Sequence, residues 1–191
     1  ASDVYKRQVI ITGLEDFPEA NLSGVTATTL TVQVDSTGDV DLSLDLSAVD
    51  TLDIIGDGTV TVLGEAILIG TLRVEVASGA TLSLSAEDVT AVAEIVGEGA
   101  VNVTALEAAL GADLSNLAAD LDVTVTLSAS EARNLTADLS TVDTLNISGT
   151  DTVTVLDAAT LNDGLTISFG AATLSLTAAD AAEVAEITGT G

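Results

Sequence analysis

Apolar and polar residues alternate in short runs along most of the chain. Leu72, Val74 and Val76 alternate with Thr71, Arg73 and Glu75, and Leu82 and Leu84 alternate with Thr81, Ser83 and Ser85. Val123, Val125 and Leu127 alternate with Asp122, Thr124 and Thr126. A period of two sends successive side chains to opposite faces, so each run predicts a half-buried strand of about 3–6 residues. The enrichment in Thr and Val suits strands. Gly56-Asp57-Gly58, Gly97-Glu98-Gly99 and Ser78-Gly79 separate the runs, and glycine supplies the positive φ that tight corners require.

The runs recur. Residues 45–99 and 138–191 align at an offset of 93, falling to 92 after one gap. Within them a shorter marker, an apolar residue, a polar one, Ile, any residue and Gly, ends at Gly56, Gly97, Gly149 and Gly189, at intervals of 41, 52 and 40. Thr51-Leu52-Asp53-Ile54 is echoed twenty residues later by Thr71-Leu72-Arg73-Val74. The elementary unit is thus a coil of about 20–22 residues. The interval of 52 calls for an insertion of about eleven residues, and 105–120 is the candidate segment. Residues 105–110, Ala-Leu-Glu-Ala-Ala-Leu, read as a helix with Gly111 as its C-cap.

Five segments share a hydroxyl and an acid three residues apart: Ser47/Asp50, Ser85/Asp88, Ser128/Glu131, Ser140/Asp143 and Thr177/Asp180. This spacing is close to a capping box and predicts one or two helical turns behind each.

A unit of twenty residues cannot bury its own apolar face, but stacked units can. The expected fold is mainly β: a parallel β-solenoid with short capped helical turns, spanning 9–191 as a single array. A leucine-rich-repeat-like solenoid is the alternative, because Val49-x-x-Leu52-x-Ile54 matches the start of that pattern. Alternation predicts that Leu52, Ile54, Val60, Val62, Leu72, Val74, Leu82, Leu84, Ile95, Val101, Val103, Leu145, Ile147, Val153, Val155, Ile167 and Leu174 point inward. The coil spacing further predicts an outward ladder of Asp53, Arg73 and Glu94, with Asn146, Thr166 and Glu186 as its counterpart. About eight coils, at about 4.8 Å each, would span on the order of 40 Å.

Composition sharpens this picture. The 191 residues include 30 Asp plus Glu, 4 Lys plus Arg, and no His, Cys, Met or Trp, for a formal charge of −26. Disulfides, thiolate zinc sites and Cys or His nucleophiles are excluded. So is a basic footprint for nucleic acid. No run approaches the about 18 apolar residues of a membrane-spanning helix. Asp3-Val4-Tyr5-Lys6-Arg7-Gln8 looks like a translated sequencing-library adapter, so 1–8 is set aside as non-native. That leaves Arg73 and Arg133 as the only bases. The chain reads as a piece of a longer protein, with unpaired strand edges at both ends that would favour self-association.

The alternating Thr-x-Thr-Val and Leu-Ser-Leu-Ser/Thr-Ala-x-Asp segments with their Ile-x-Gly turns resemble the β-strand repeat arrays of very large acidic proteins on bacterial surfaces, adhesin-like and surface-layer-like proteins among them. The resemblance covers about residues 28–191. It implies a secreted or surface-displayed structural segment.

Candidate chemistry is sparse. Gly56-Asp57-Gly58 has a partial likeness to a calcium-binding nonapeptide, and Asp57, Glu98 and Asp151 are the candidate calcium ligands. A calcium site needs six to eight oxygens converging on one point, whereas carboxylates on a solvated face give only diffuse cation screening. Catalysis on a sugar polymer would need a matched carboxylate pair or a base. The native part has no Lys, His or Tyr, and Phe17 and Phe169 stand apart. No catalytic residue and no bound cofactor is expected, calcium excepted. The outward pairs Thr59/Thr61, Thr124/Thr126 and Thr152/Thr154 also suit an ice-binding ladder, although Ser83, Asn102 and Thr104 interrupt it. Four glycosylation sequons, at Asn21, Asn102, Asn134 and Asn146, are expected by chance at this Ser and Thr content. The expected role is a non-enzymatic spacer with an acidic exterior; the alternative is a calcium- or glycan-binding β-solenoid module, ahead of an ice-binding module or a polysaccharide-active β-helix enzyme. Its partners would be its own neighbouring repeats and soluble cations.

Overall fold

The computed structural model describes residues 8–14, 22 and 24–190. Strands β1 (Gln8–Ile11), β2 (Thr29–Ser36), β3 (Val40–Leu42), β4 (Thr51–Gly56), β5 (Thr59–Val62), β6 (Arg73–Val76) and β7 (Thr81–Ser85) lead into helix α1 (Ala86–Ala91). After β8 (Glu94–Gly97) and β9 (Ala100–Thr104) comes one 3-10 turn, Leu106–Ala108. Then follow β10 (Asp122–Ala129), β11 (Arg133–Leu135), β12 (Thr144–Gly149), β13 (Thr152–Val155), β14 (Thr166–Phe169), β15 (Thr173–Ser175), helix α2 (Asp180–Glu183) and β16 (Glu186–Gly189). Residues 3–7 of the adapter-like segment lie outside the described residues, and Gln8 opens β1.

The strands stack as three parallel sheets, in the orders β1-β2-β4-β6-β8, β3-β5-β7-β9-β10-β12-β14-β16, and β11-β13-β15. The chain is a parallel β-solenoid of about nine turns. A leucine-rich-repeat-like solenoid would carry its strands in one sheet; here they line more than one side of each coil. Stacking in register places apolar residues directly over one another. Val103 pairs with Val125, Val125 with Leu145, Leu145 with Ile167, and Ile167 with Ile187. All the positions expected to point inward are buried except Leu174, which is half-buried on the sheet-edge strand β15. Each fully buried Leu, Ile or Val contributes about 1.5–3 kcal/mol of transfer free energy.

The two sequence copies match more widely than 45–99 and 138–191. At the offset of 93, β2 answers to β10, β3 to β11, β4 to β12, β5 to β13 and β6 to β14. Yet the equivalents occupy different sides. β4 and β6 belong to the five-stranded sheet, but β12 and β14 belong to the eight-stranded one. β5 belongs to the eight-stranded sheet and β13 to the three-stranded one. The second copy is therefore advanced by one side of the solenoid, and 93 residues amount to four coils and one further side. The segment 105–120 supplies the additional length.

That segment is not the helix expected of it. Beyond the 3-10 turn it runs as a succession of turns with isolated bridges at Asp113 and Leu117, with Ala105 left-handed at φ 55°, and Gly111 is not among the residues with positive φ. The backbone is instead taken up by the neighbouring coils. The N–H groups of Thr136 and Asp138 donate to the carbonyls of Leu110 and Ala112 (2.8 and 2.9 Å), and that of Ala118 donates to Ile95 (2.9 Å). A free helix of six residues is marginal, so bonds to a preformed neighbour prevail over local propensity.

Two of the five hydroxyl–acid segments form the expected box. The Ser85 hydroxyl accepts from the Asp88 N–H (3.1 Å) while the Asp88 carboxylate accepts from the Ser85 N–H (3.1 Å), capping α1. Thr177 and Asp180 repeat the arrangement before α2. In the others the acid has a different partner, described below.

Glycine at the corners is required by close approach. Gly97 sits at φ 131°, and a Cβ there would run into the Val76 carbonyl of the preceding coil. Gly149, at φ 96°, meets the Ala129 carbonyl in the same way. Replacing Gly97 by Ala should therefore cost about 2–4 kcal/mol through left-handed strain and collision. Gly64→Ala, at a glycine with open space around it, should stay within about 0.5 kcal/mol. Denaturant melts of the two variants check this, and equal losses would mean that the corner is not tight.

Candidate functional site

The outward face of the five-stranded sheet carries Asp53, Arg73, Glu75 and Glu94. Arg73 pairs in register with Thr51 on one side and Glu94 on the other, and Asp53 pairs with Glu75. The expected ladder of Asp53, Arg73 and Glu94 is thus half right. The Arg73 guanidinium reaches Glu94 (3.2 Å) and Glu75 on its own strand (3.2 Å). Asp53 is displaced by two residues and instead accepts from the Gln33 side chain at 2.7 Å. The second copy shows the same shift: Thr144, Thr166 and Glu186 share a column, while Asn146 pairs with Ser168. The cause lies on the side without a regular strand. Residues 63–72 between β5 and β6 are two longer than 43–50 between β3 and β4, so this coil has 22 residues. A slip of two keeps every side chain on its own face, which is why the buried set survives the error.

An open groove of about 570 Å³ runs beside Arg73, flanked by Asp53, Glu75, Glu98 and Asp120. The three candidate calcium ligands do not meet. Asp57, Glu98 and Asp151 are all exposed on turns. Asp57 and Glu98 share the corner between the five- and eight-stranded sheets but follow β4 and β8, two rungs apart in the sheet order. Asp151 occupies the corner between β12 and β13, a different edge of the solenoid because the second copy is advanced by one side. Among the described residues no three carboxylates form a group able to hold a metal ion.

Other acids serve the backbone. Asp50 accepts the Leu30 N–H and Asp143 the Val123 N–H, each at 2.7 Å and each from the preceding coil. These are equivalent pairs, 93 residues apart. Asp45, Asp113 and Asp138 each accept the N–H of the serine two residues on, at 2.9–3.0 Å. Bonds from Ser47 and Ser115, side chain first and backbone second, hold the Asp45 and Asp113 carboxyls below the ordinary carboxylate value. Their contribution to stability is therefore complete above the unfolded pKa and is lost as pH falls through the lowered folded value. Asn116 and Asn162 act from the other polarity. Each amide donates to two carbonyls of the coil before it, Val89 and Val92 for Asn116, and Leu139 and Val142 for Asn162. No alternation signals these bonds in the sequence; the signal was the recurrence of Asp-Leu-Ser and of Asp50 and Asp143 at one offset.

Arg133 takes an inward-phase position on β11, paired with the buried Val153, where the first copy has Val40. Its guanidinium turns out to Glu131 at 2.8 Å. The two arginines therefore sit on different sheets. No family model, curated protein or solved structure matches the chain.

Asp143→Ala should leave the Val123 N–H without its partner and cost about 1–2 kcal/mol. Arg73→Gln, at an exposed ion pair, should cost about 0–1 kcal/mol, less at high salt. Chemical denaturation of both variants at low and high salt checks the order. A larger loss at Arg73 would show that the ion pair, not the inter-coil backbone bond, stabilises this side.

Proposed function

We propose that the chain is a non-catalytic structural array, a stiff acidic spacer within a larger secreted or surface-displayed bacterial protein. The observation that carries this reading is the eight-stranded parallel sheet, which runs without a break through both copies. Seven steps at about 4.8 Å make a straight edge of about 34 Å, and further coils would extend it without changing its section. Stability in such a stack is close to a sum of coil and interface terms, so length is added at constant cost. The exterior suits the task. A charge of −26 keeps neighbouring rods apart and resists non-specific contact. The acids serve as turn and coil caps, as in Asp45, Asp50 and Asp143, and need no ligand to be accommodated. Cations act on such a surface by screening. Like-charged rungs such as Asp53 beside Glu75 gain from this in proportion to ionic strength.

Thermal melting in calcium, magnesium and sodium chlorides tests the reading. The midpoints should rise along one curve when plotted against ionic strength. A steep and saturable rise with calcium alone, at micromolar to millimolar concentration, would make the chain a cation-locked binding module instead.

A further inference from the structure

The first coil belongs to the repeat as well. At an offset of 92, Ala20-Asn21-Leu22-Ser23 answers to Ala112-Asp113-Leu114-Ser115, and Leu14-Glu15 to Leu106-Glu107. The backbone agrees. Gly13 at φ 79° and Ala105 at φ 55° are both left-handed, and Leu14 and Leu106 are both buried. The Val25 N–H donates to the Leu22 carbonyl (3.0 Å) as that of Leu117 does to Leu114 (3.1 Å). Residues 8–99 and 100–191 are therefore successive periods, and β1 is the counterpart of β9.

The sheets divide along the same line. The eight-stranded sheet is β3, β5 and β7 of the first period, joined through β7 and β9 to β9, β10, β12, β14 and β16 of the second. The counterparts of these two groups are the three-stranded sheet, β11-β13-β15, and the five-stranded sheet, which begins at β1. The edges that correspond to the β7–β9 junction are thus β15 and β1, at opposite ends of the molecule. Their apolar residues are incompletely covered. Leu82, Leu84, Val101 and Val103 are buried at the interior junction, whereas their counterparts Leu174, Leu176, Val9 and Ile11 are half-buried. Ile95 is buried and bridged to Leu117, whereas its counterpart Ile187 is 38% exposed.

We propose that the coil 172–189 is a docking surface for the first coil of a second copy of this chain, so that molecules stack head to tail. The register is that of β7 on β9. It sets Leu174 beside Val9 of the second copy, Ser175 beside Ile10 and Leu176 beside Ile11, and the bridge of Ile95 to Leu117 sets Ile187 beside Val25. The three-stranded sheet of one molecule and the five-stranded sheet of the next then make a second sheet of eight. Edge N–H and C=O groups gain partners by parallel strand addition. Charge does not forbid the contact. The interior junction closes between 80–99 and 100–121, which carry seven acids, whereas 172–191 and 8–28 carry six. Gly24 stands where Asn116 donates to the Val89 and Val92 carbonyls, and no peptide bond joins the two copies, so the contact is reversible. Unlike ends that meet do not close a ring here but extend a fibre. A two-fold contact between like ends would make the strands antiparallel, for which the interior offers no counterpart. The inference goes beyond the spacer reading and does not depend on it, since that reading is tested by melting in salts and this one by association.

The test traps the register in the full chain, which has no native cysteine. Ile10→Cys and Ser175→Cys, both at exposed positions, are made as separate variants, mixed and mildly oxidised. Neighbouring parallel strands about 4.8 Å apart lie within disulfide reach. The mixed dimer should exceed the dimer of either variant alone by about tenfold, because like ends do not meet. Adding Ile187→Glu to the Ser175→Cys variant should lower the mixed dimer about tenfold by placing a charge in the contact. Circular dichroism melts establish that each variant is folded. Sedimentation of the unaltered chain should show a mean mass that rises with concentration, and more so at high salt as the acids are screened. A mixed dimer no more abundant than the dimers of like variants, cross-linking undiminished by Ile187→Glu, or an unaltered chain that stays monomeric at every concentration and salt would each overturn the proposal.

Discussion

Each coil of this protein is completed by the coils beside it. Backbone N–H and C=O groups that a short strand cannot satisfy internally are taken up by the equivalent strand one turn away, in parallel and in register. Leaving them unpaired in a dry interior would cost more than any local preference could return. The other features follow from this ladder. Side chains must superpose from coil to coil, so the interior is built of Val, Leu, Ile and Ala in columns. Corners must let one backbone pass closely over another, so Gly97 and Gly149 lie where a Cβ would strike the preceding carbonyl. Groups that the ladder leaves over at the corners are met by Asp50, Asp143, Asn116 and Asn162 reaching to the previous coil.

The ladder also explains why length variation is absorbed where it is. Residues 63–72 exceed their counterparts 43–50 by two, and the excess lies outside the stacked strands. A larger excess at 105–120 cannot be looped out in the same way. It is laid down as another side, and the second copy advances around the axis. Consequently the same sequence motif faces different directions in the two copies. The eight-stranded face draws its outward residues from β5- and β7-type strands in one half and from β4- and β6-type strands in the other.

Much of this was legible in the residues. Alternation identified the buried set, and the recurrence of Ile-x-Gly identified the corners, because a two-residue period and a positive φ each have one simple cause. The Ser85/Asp88 box was legible because both partners are local. What alternation could not carry was register. A slip of two residues preserves the phase of every side chain, so Asp53 was matched to Arg73 although Gln33 is its partner. The helix expected at 105–110 failed for a related reason, since local propensity says nothing of a neighbouring coil waiting to bond. The candidate ligands Asp57, Glu98 and Asp151 looked equivalent in sequence. They are separated in space by the one-side advance, which no single copy encodes.

The advance is the part of the account most open to direct measurement, and the absence of native cysteine makes the experiment clean. Asn102 is paired with Thr124, which is the sequence equivalent of Thr31 on the five-stranded sheet. Without the advance, Asn102 would instead lie beside Asn134, the equivalent of Asp41. Neighbouring rungs at about 4.8 Å fall within disulfide reach, whereas different sides do not. Under mild oxidation, Asn102→Cys with Thr124→Cys should therefore cross-link within one chain, and Asn102→Cys with Asn134→Cys should stay reduced. The reverse outcome would contradict the advance and, with it, the continuous eight-stranded face.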